Sequence, residues 1–119
     1  MMKHTLLTLF MFLSLLCHGQ SYKFFTTDRE LSSSLINKIY QDRNGMIWIA
    51  TEDGLNRYDG AKFVIYKHDP ENEHSLCHNY VRALYEDSKG RLFVGTYNGI
   101  QSVSYTHLRA HETSLPLVC

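Results

Sequence analysis

From residue 36 onward, apolar residues come in short alternating runs, each closed by a cluster of Asp, Asn and Gly. Ile36-Asn37-Lys38-Ile39-Tyr40-Gln41 is rich in strand formers and bounded by turn residues, so it reads as a strand. Asp42-Arg43-Asn44-Gly45 follows as a hairpin connection, with Asp accepting a backbone hydrogen bond at its start and Gly supplying positive φ at its end. Residues 46–50 place Trp48 on one face and Ile47 and Ile49 on the other. Two apolar faces predict a strand sandwiched between neighbouring layers. Glu52-Asp53-Gly54 is the next turn, where Asp-Gly predicts a tight type I′ geometry. Residues 55–58 make a third strand, Asp59-Gly60 a third turn of the same chemistry, and residues 62–66 a fourth strand. A polar connector over 68–75 closes the unit.

The chain then repeats itself 45 residues later without a gap. Asp42, Gly45, Thr51 and Gly54 recur as Asp87, Gly90, Thr96 and Gly99, while Trp48 becomes Phe93, Ile47 Leu92, Ile49 Val94 and Leu55 Ile100. The register also holds upstream, pairing Ile36 with Val81, Ile39 with Leu84 and Tyr40 with Tyr85. A repeat of this period fits a propeller blade of ~40–50 residues. The expected fold is all-β, a partial β-propeller of four-stranded antiparallel blades. A blade with two apolar faces cannot bury both alone, so stability grows with repeat number, and propellers close at ~4–8 blades. Fewer than two blades are legible here, so the chain reads as the N-terminal fragment of something larger and is not expected to fold stably by itself.

Ahead of the repeat, Lys3 and His4 precede an apolar run over 6–16 that is too short to span a bilayer, which takes ~20 residues. Its length suits a secretory signal, with Cys17-His18-Gly19 offering cleavage before Gln20; lipidation of Cys17 is the alternative, with Leu16 a poor neighbour for it. Either way the remainder is exported. The organisation expected is a signal peptide over 1–19, a lead-in over 20–34 with Ser32-Ser33-Ser34 as a polar break, blade 1 over 35–76 and partial blade 2 over 77–102. Residues 103–119 abandon the pattern, since Ser102-Val103-Ser104 does not match Arg57-Tyr58-Asp59, and they read as a frameshift, vector or assembly scar.

Twelve basic against 12 acidic residues give zero formal charge, which leaves no electrostatic footprint for nucleic acid or an anionic membrane. Cys17, Cys77 and Cys119 are too few and too scattered for a disulfide framework or zinc site, and Cys77 is most simply a lone thiol.

The pattern Asp-x-x-Gly-x-Ile/Leu-Trp/Phe-Ile/Val-Ala/Gly-Thr-x-x-Gly-Leu/Ile, with Asn56-Arg57-Tyr58-Asp59 after its first copy, resembles the two-component regulator propeller repeat. Leu31-Ser32-Ser33 before the first blade is similar to the opening of those proteins, and the resemblance covers about 22–101. It implies a periplasmic sensor of the hybrid two-component type, with a signal peptide, many further blades, a β-sandwich, a membrane helix, then histidine kinase, receiver and DNA-binding output modules. Members typically sense oligosaccharides released from glycans. The expected partners are therefore further blades of the full-length protein, an oligosaccharide and a second copy in a homodimer. Membrane contact would come only through a downstream helix, and no nucleic acid contact is expected. None of those modules is legible here, so the segment itself is read as non-catalytic. An exported polysaccharide lyase or hydrolase, or a protein-binding scaffold, remains the alternative.

Trp48 and Phe93 could stack on sugars, but apolar positions shared by repeats build a core between blades. Asp42-Arg43-Asn44-Gly45 resembles the start of a calcium loop, yet it lacks a third ligand and its glycine comes too early. Asp28, Glu30, Glu52, Asp53 and Asp59 show no acid/base spacing, and His68, His74 and His78 read as exposed connector residues. His107 and His111, four apart, could share a helix face as metal ligands, but without structural context they read as part of the tail. No metal, cofactor or catalytic group is expected. Arg57, Tyr58 and Asp59, at a strand end beside a loop, are the candidate ligand- or partner-facing cluster, against the plainer reading of a strand end and turn.

Overall fold

The computed structural model describes residues 2–14 and 19–103. A helix, α1 (Met2–Ser14), precedes seven strands. β1 (Ile36–Gln41), β2 (Ile47–Thr51), β3 (Gly54–Tyr58) and β4 (Phe63–Tyr66) form an antiparallel meander in spatial order, and β5 (Val81–Glu86), β6 (Leu92–Thr96) and β7 (Gly99–Val103) form a second. The 45-residue offset is a geometric one: Ile47 pairs with Tyr58 as Leu92 pairs with Val103, and Thr51 with Gly54 as Thr96 with Gly99. The first strand of each sheet is irregular at the same place, between Ile36 and Lys38 and between Val81 and Ala83.

The first hairpin forms as its residues predict. Gly45 and Gly90 adopt φ of 83° and 79°, and each donates its amide to the carbonyl of the turn's aspartate. The other turns differ from expectation. Thr51 pairs with Gly54 across Glu52 and Asp53, and no described non-glycine residue has positive φ, so this is not a type I′ turn. Gly54, at φ 126°, instead absorbs the twist directly after the two-residue loop, in a backbone conformation that glycine adopts without a Cβ clash. The Thr51 hydroxyl fixes it by accepting from the Asp53 amide (3.1 Å) and donating to the Gly54 carbonyl (2.8 Å); Thr96 does the same with Asn98 and Gly99. The third connection spans 59–62 rather than a tight Asp-Gly pair, because Tyr58 pairs with Phe63.

The repeat starts further upstream than its apolar pattern suggests. Asn56 accepts from the Ser32 amide (2.9 Å), and its equivalent Gln101 accepts from the Cys77 amide (2.7 Å), which is 45 residues on. Ser33 and His78 each accept the amide two residues later, from Leu35 and Tyr80. Ser32 is therefore an anchor, not merely a polar break. The lead-in docks as well: Phe25 packs edge-on against Tyr58 (5.0 Å) and Phe63 (4.9 Å), and Lys23 Nζ donates to Tyr58 Oη. At the other end β7 runs through a fully buried Val103, so the repeat continues past the break expected at Ser102; the remainder of the tail, from 104, lies outside the described residues.

The two sheets approach each other along β1, β2 and β5, and one core fills the space between them. It takes Trp48, Ala50, Leu55 and Tyr66 from the first sheet, Leu76 from the connector, and Val81, Leu84, Leu92, Val94 and Val103 from the second. Each fully buried aliphatic side chain contributes about 1.5–3 kcal/mol, so docking is driven by this layer. Trp48 is 0% exposed and belongs to that core as expected. Phe93, flanked by the inward Leu92 and Val94, lies on the opposite face of the second sheet with exposed Tyr85 and Ile100.

Polar contacts tie the junction. Arg43 Nε meets Glu86 Oε1 at 2.8 Å, and its Nη2 donates to the Asp87 carbonyl. Asn37 donates to the Val81 carbonyl, and the Gly54 amide to the Asn79 carbonyl.

Candidate functional site

Arg57, Tyr58 and Asp59 do not converge. Alternation along β3 sends Arg57 to the junction face, where its guanidinium lies 6.0 Å from the Trp48 ring and 5.8 Å from Tyr66. Tyr58 points the other way, stacks on Phe63 (4.5 Å) and donates to the Gly60 carbonyl. One oxygen of Asp59 accepts the Ala61 and Lys62 amides at 2.8 and 2.7 Å, and these bonds hold its carboxyl below the ordinary value. Each residue thus has a structural use of its own.

The repeated aspartates organise turns. Asp42, 5% exposed, accepts the Asn44 and Met46 amides on Oδ1 and the Trp48 indole N–H on Oδ2 at 2.7 Å. In the second copy Phe93 has no N–H to offer, and Arg91 Nε fills the place on Asp87 Oδ2 at 2.6 Å. Burial alone would raise the Asp87 pKa, but the Arg91 amide and guanidinium and the Lys89 amide outweigh it and lower it.

The remaining candidates are scattered. Glu30 accepts the Thr26 amide, and Asp53 pairs with Lys67 at 2.8 Å. His68 Nδ1 meets the Leu76 carbonyl at 2.7 Å, and His74 lies 3.6 Å from Glu73. Cys77, expected as a lone thiol, is disulfide-bonded, and His107 and His111 lie outside the described residues. Among the described residues no group of His, Cys, Asp and Glu could hold a metal ion.

A cluster that the sequence did not single out forms at the rim carrying the 52–53 and 97–98 turns. Tyr80 and Tyr97 stack at 4.2 Å with planes 19° apart, and Tyr80 Oη donates to Glu52 Oε1 of the first sheet at 3.0 Å. That bond, with burial and the Glu52 charge adding to it, raises the Tyr80 pKa. Arg82, at the irregular step of β5, holds its guanidinium 5.2 Å from the Tyr97 ring, and His78 meets that ring edge-on at 5.8 Å. The available signal was departure from the repeat: Ser33, Leu35, Asn37 and Glu52 become His78, Tyr80, Arg82 and Tyr97.

Two antiparallel meanders stacked in a constant 45-residue register are blades of a β-propeller. Residues 30–53 and 75–98 match the two component regulator propeller family, in the register that the amide clamps mark, and both copies are repeats of that family. Among curated proteins the chain is similar to Histidine kinase P4 of Formosa agariphila, 41% identical over 72 residues. That match takes in 57% of this chain and 5% of the kinase. Among solved structures it resembles one described as the extracellular domain of a hybrid two component system from B. thetaiotaomicron, with TM-score 0.64 and 24% identity, over 80% of this chain and 13% of that one. The structural likeness bears on the fold.

Proposed function

We propose that this chain is part of the ligand-sensing propeller of an exported, periplasmic hybrid two-component sensor. The observation that carries the reading is the pair of in-register propeller repeats, each clamped, capped and turned by residues at equivalent positions. The likeness to a histidine kinase and to an extracellular sensor domain supports it. So does α1, whose apolar side chains, Leu6, Leu7, Phe10 and Phe12 among them, are exposed, as a secretory signal's would be before cleavage; no helix among the described residues is long and apolar enough to cross a membrane. In this reading the propeller itself binds rather than catalyses. Its ligand is an oligosaccharide released from a glycan, and phosphotransfer and transcriptional output belong to other modules of a full-length homodimeric protein. Sequencing the source locus across the codons for 101–119 tests the proposal. Continuation into further 45-residue repeats, a membrane helix and a kinase module is the expected result; a frame without them refutes it.

A further inference from the structure

The segment between α1 and the first blade carries the chemistry of an end that caps itself. Residues 19–26 form neither helix nor strand, and 19–22 are exposed. The lead-in begins to dock only at Lys23, which meets Tyr58 Oη at 3.2 Å, and at Phe25, which packs on Tyr58 and Phe63. Within the exposed stretch Tyr22 Oη donates to Gln20 Oε1 at 2.8 Å. That contact joins residues two apart in the chain, so it forms without help from any blade. Cleavage before Gln20 places a free α-amino group on the residue whose own carboxamide carbon it can reach by closing a small ring. An α-amino group titrates at about 7.7–8.0, so near neutral pH part of it is the uncharged nucleophile. Attack within one residue needs no encounter. A hydroxyl already bonded to the carboxamide oxygen stabilises the negative charge that develops there.

We infer that Gln20, once it is the N-terminal residue, closes to pyroglutamate, with the Tyr22 hydroxyl promoting the step. Water first hydrolyses the Gly19–Gln20 peptide bond. The Gln20 α-nitrogen then forms a bond to Cδ, the Cδ–Nε2 bond breaks, and Nε2 leaves as ammonia with the proton that the amine gives up. Nothing is oxidised or reduced. The product is a neutral lactam, so the exposed end loses its positive charge and the primary amine that an aminopeptidase grips. A chain end that is not tied down is a preferred site of proteolysis, and the cap protects the few residues ahead of the docked Lys23. The inference rests on the export reading above, and within it on cleavage before Gln20.

The test is to express the full chain with its own residues 1–19 in a Gram-negative host and recover it from the whole cell and the periplasm. The purified chain is incubated at neutral pH and cut with trypsin, and the N-terminal peptide is identified by mass spectrometry. The expected peptide spans 20–23 and is lighter than its sequence by one ammonia, in a fraction that rises during incubation. Gln20→Ala should be cleaved at the same bond and keep a free amine, and Tyr22→Phe should cyclise severalfold more slowly. A peptide starting at Gln20 that keeps its amine throughout overturns the inference and leaves export standing. A lipidated Cys17 at the N-terminus does the same. An uncleaved chain starting at Met1 and absent from the periplasm overturns the inference and the export reading together. Equal rates for Tyr22→Phe and the natural sequence overturn the role given to the hydroxyl.

Discussion

Asp42→Ala removes one carboxylate and, among the described residues, three side-chain hydrogen bonds, and the three are not equivalent. The Asn44 and Met46 amides, which donate to Oδ1 at 2.8 and 3.0 Å, sit in an exposed to half-buried turn and can turn to water once the carboxylate is gone. Losing that cap should cost about 1 kcal/mol, as for a helix N-cap. The Trp48 indole N–H cannot do the same, because Trp48 is 0% exposed. A buried donor that loses a carboxylate acceptor costs roughly 1–3 kcal/mol. The sum is about 2–4 kcal/mol, most of it from one N–H. Urea denaturation followed by the fluorescence of the chain's one tryptophan measures it directly. Asp87→Ala is the internal control: it loses the same kind of turn cap, but Phe93 makes no demand on the second oxygen and Arg91 is half-exposed, so its cost should be clearly smaller. In a Trp48→Phe background, followed by circular dichroism, the Asp42→Ala cost should fall by roughly 1–3 kcal/mol. Equal costs for the two aspartates, or no coupling to Trp48, would refute the reasoning.

A second contrast uses the glycines. A Cβ on Gly54 would lie 2.9 Å from the Tyr66 carbonyl, whereas one on Gly99 meets nothing within 4 Å, and both have φ near 126°. Gly99→Ala should cost about 1–2 kcal/mol from backbone strain and Gly54→Ala measurably more, by thermal melting. Arg43→Ala takes the guanidinium from the Glu86 carboxylate, whose side chain is 5% exposed, and leaves it, among the described residues, only the residue-43 amide at 3.2 Å, so stability should fall. Arg43→Lys should not restore the loss, since an ammonium cannot serve both Glu86 and the Asp87 carbonyl in one plane, and the midpoint of urea unfolding reads both. Among the described residues Tyr66 Oη has no partner although it is buried, and burial raises its pKa against a smaller opposing effect of Arg57. The neutral phenol is therefore the form that the fold favours. Stability should hold below the unfolded tyrosine value of about 10 and fall as pH rises through the higher folded value. Tyr66→Phe should remove that alkaline loss and leave stability at neutral pH unchanged or slightly higher, a comparison made by melting at pH 7 and above 10.

The amino-acid sequence by itself determined the strands, their period and the first hairpin. Those depend on contacts within a few residues: apolar alternation, Asp and Gly at fixed turn positions, and a second copy to check each assignment. It also marked Trp48 as core, because an aromatic between β-branched neighbours has two faces to bury. The turn at 52–53 was legible as a turn but not as to type, since Asp-Gly fits type I′ equally well until pairing of Thr51 with Gly54 fixes which two residues lie at its centre. The true start of the repeat was hidden for a related reason. Ser32 and Cys77 share no obvious chemistry, and although Asn56 and Gln101 are both carboxamides, only the backbone amides and side-chain oxygens, brought together over 24 residues, reveal the equivalence. Arg57, Tyr58 and Asp59 looked like a cluster because they are consecutive, yet a strand sends neighbours to opposite faces and the following loop consumes the carboxylate. The rim cluster was invisible for the converse reason: Glu52 and Tyr80 are 28 residues apart and on different sheets. Only the packing of one blade against the next, driven by the apolar layer between them, sets that carboxylate on that phenol and leaves Arg82 resting on Tyr97.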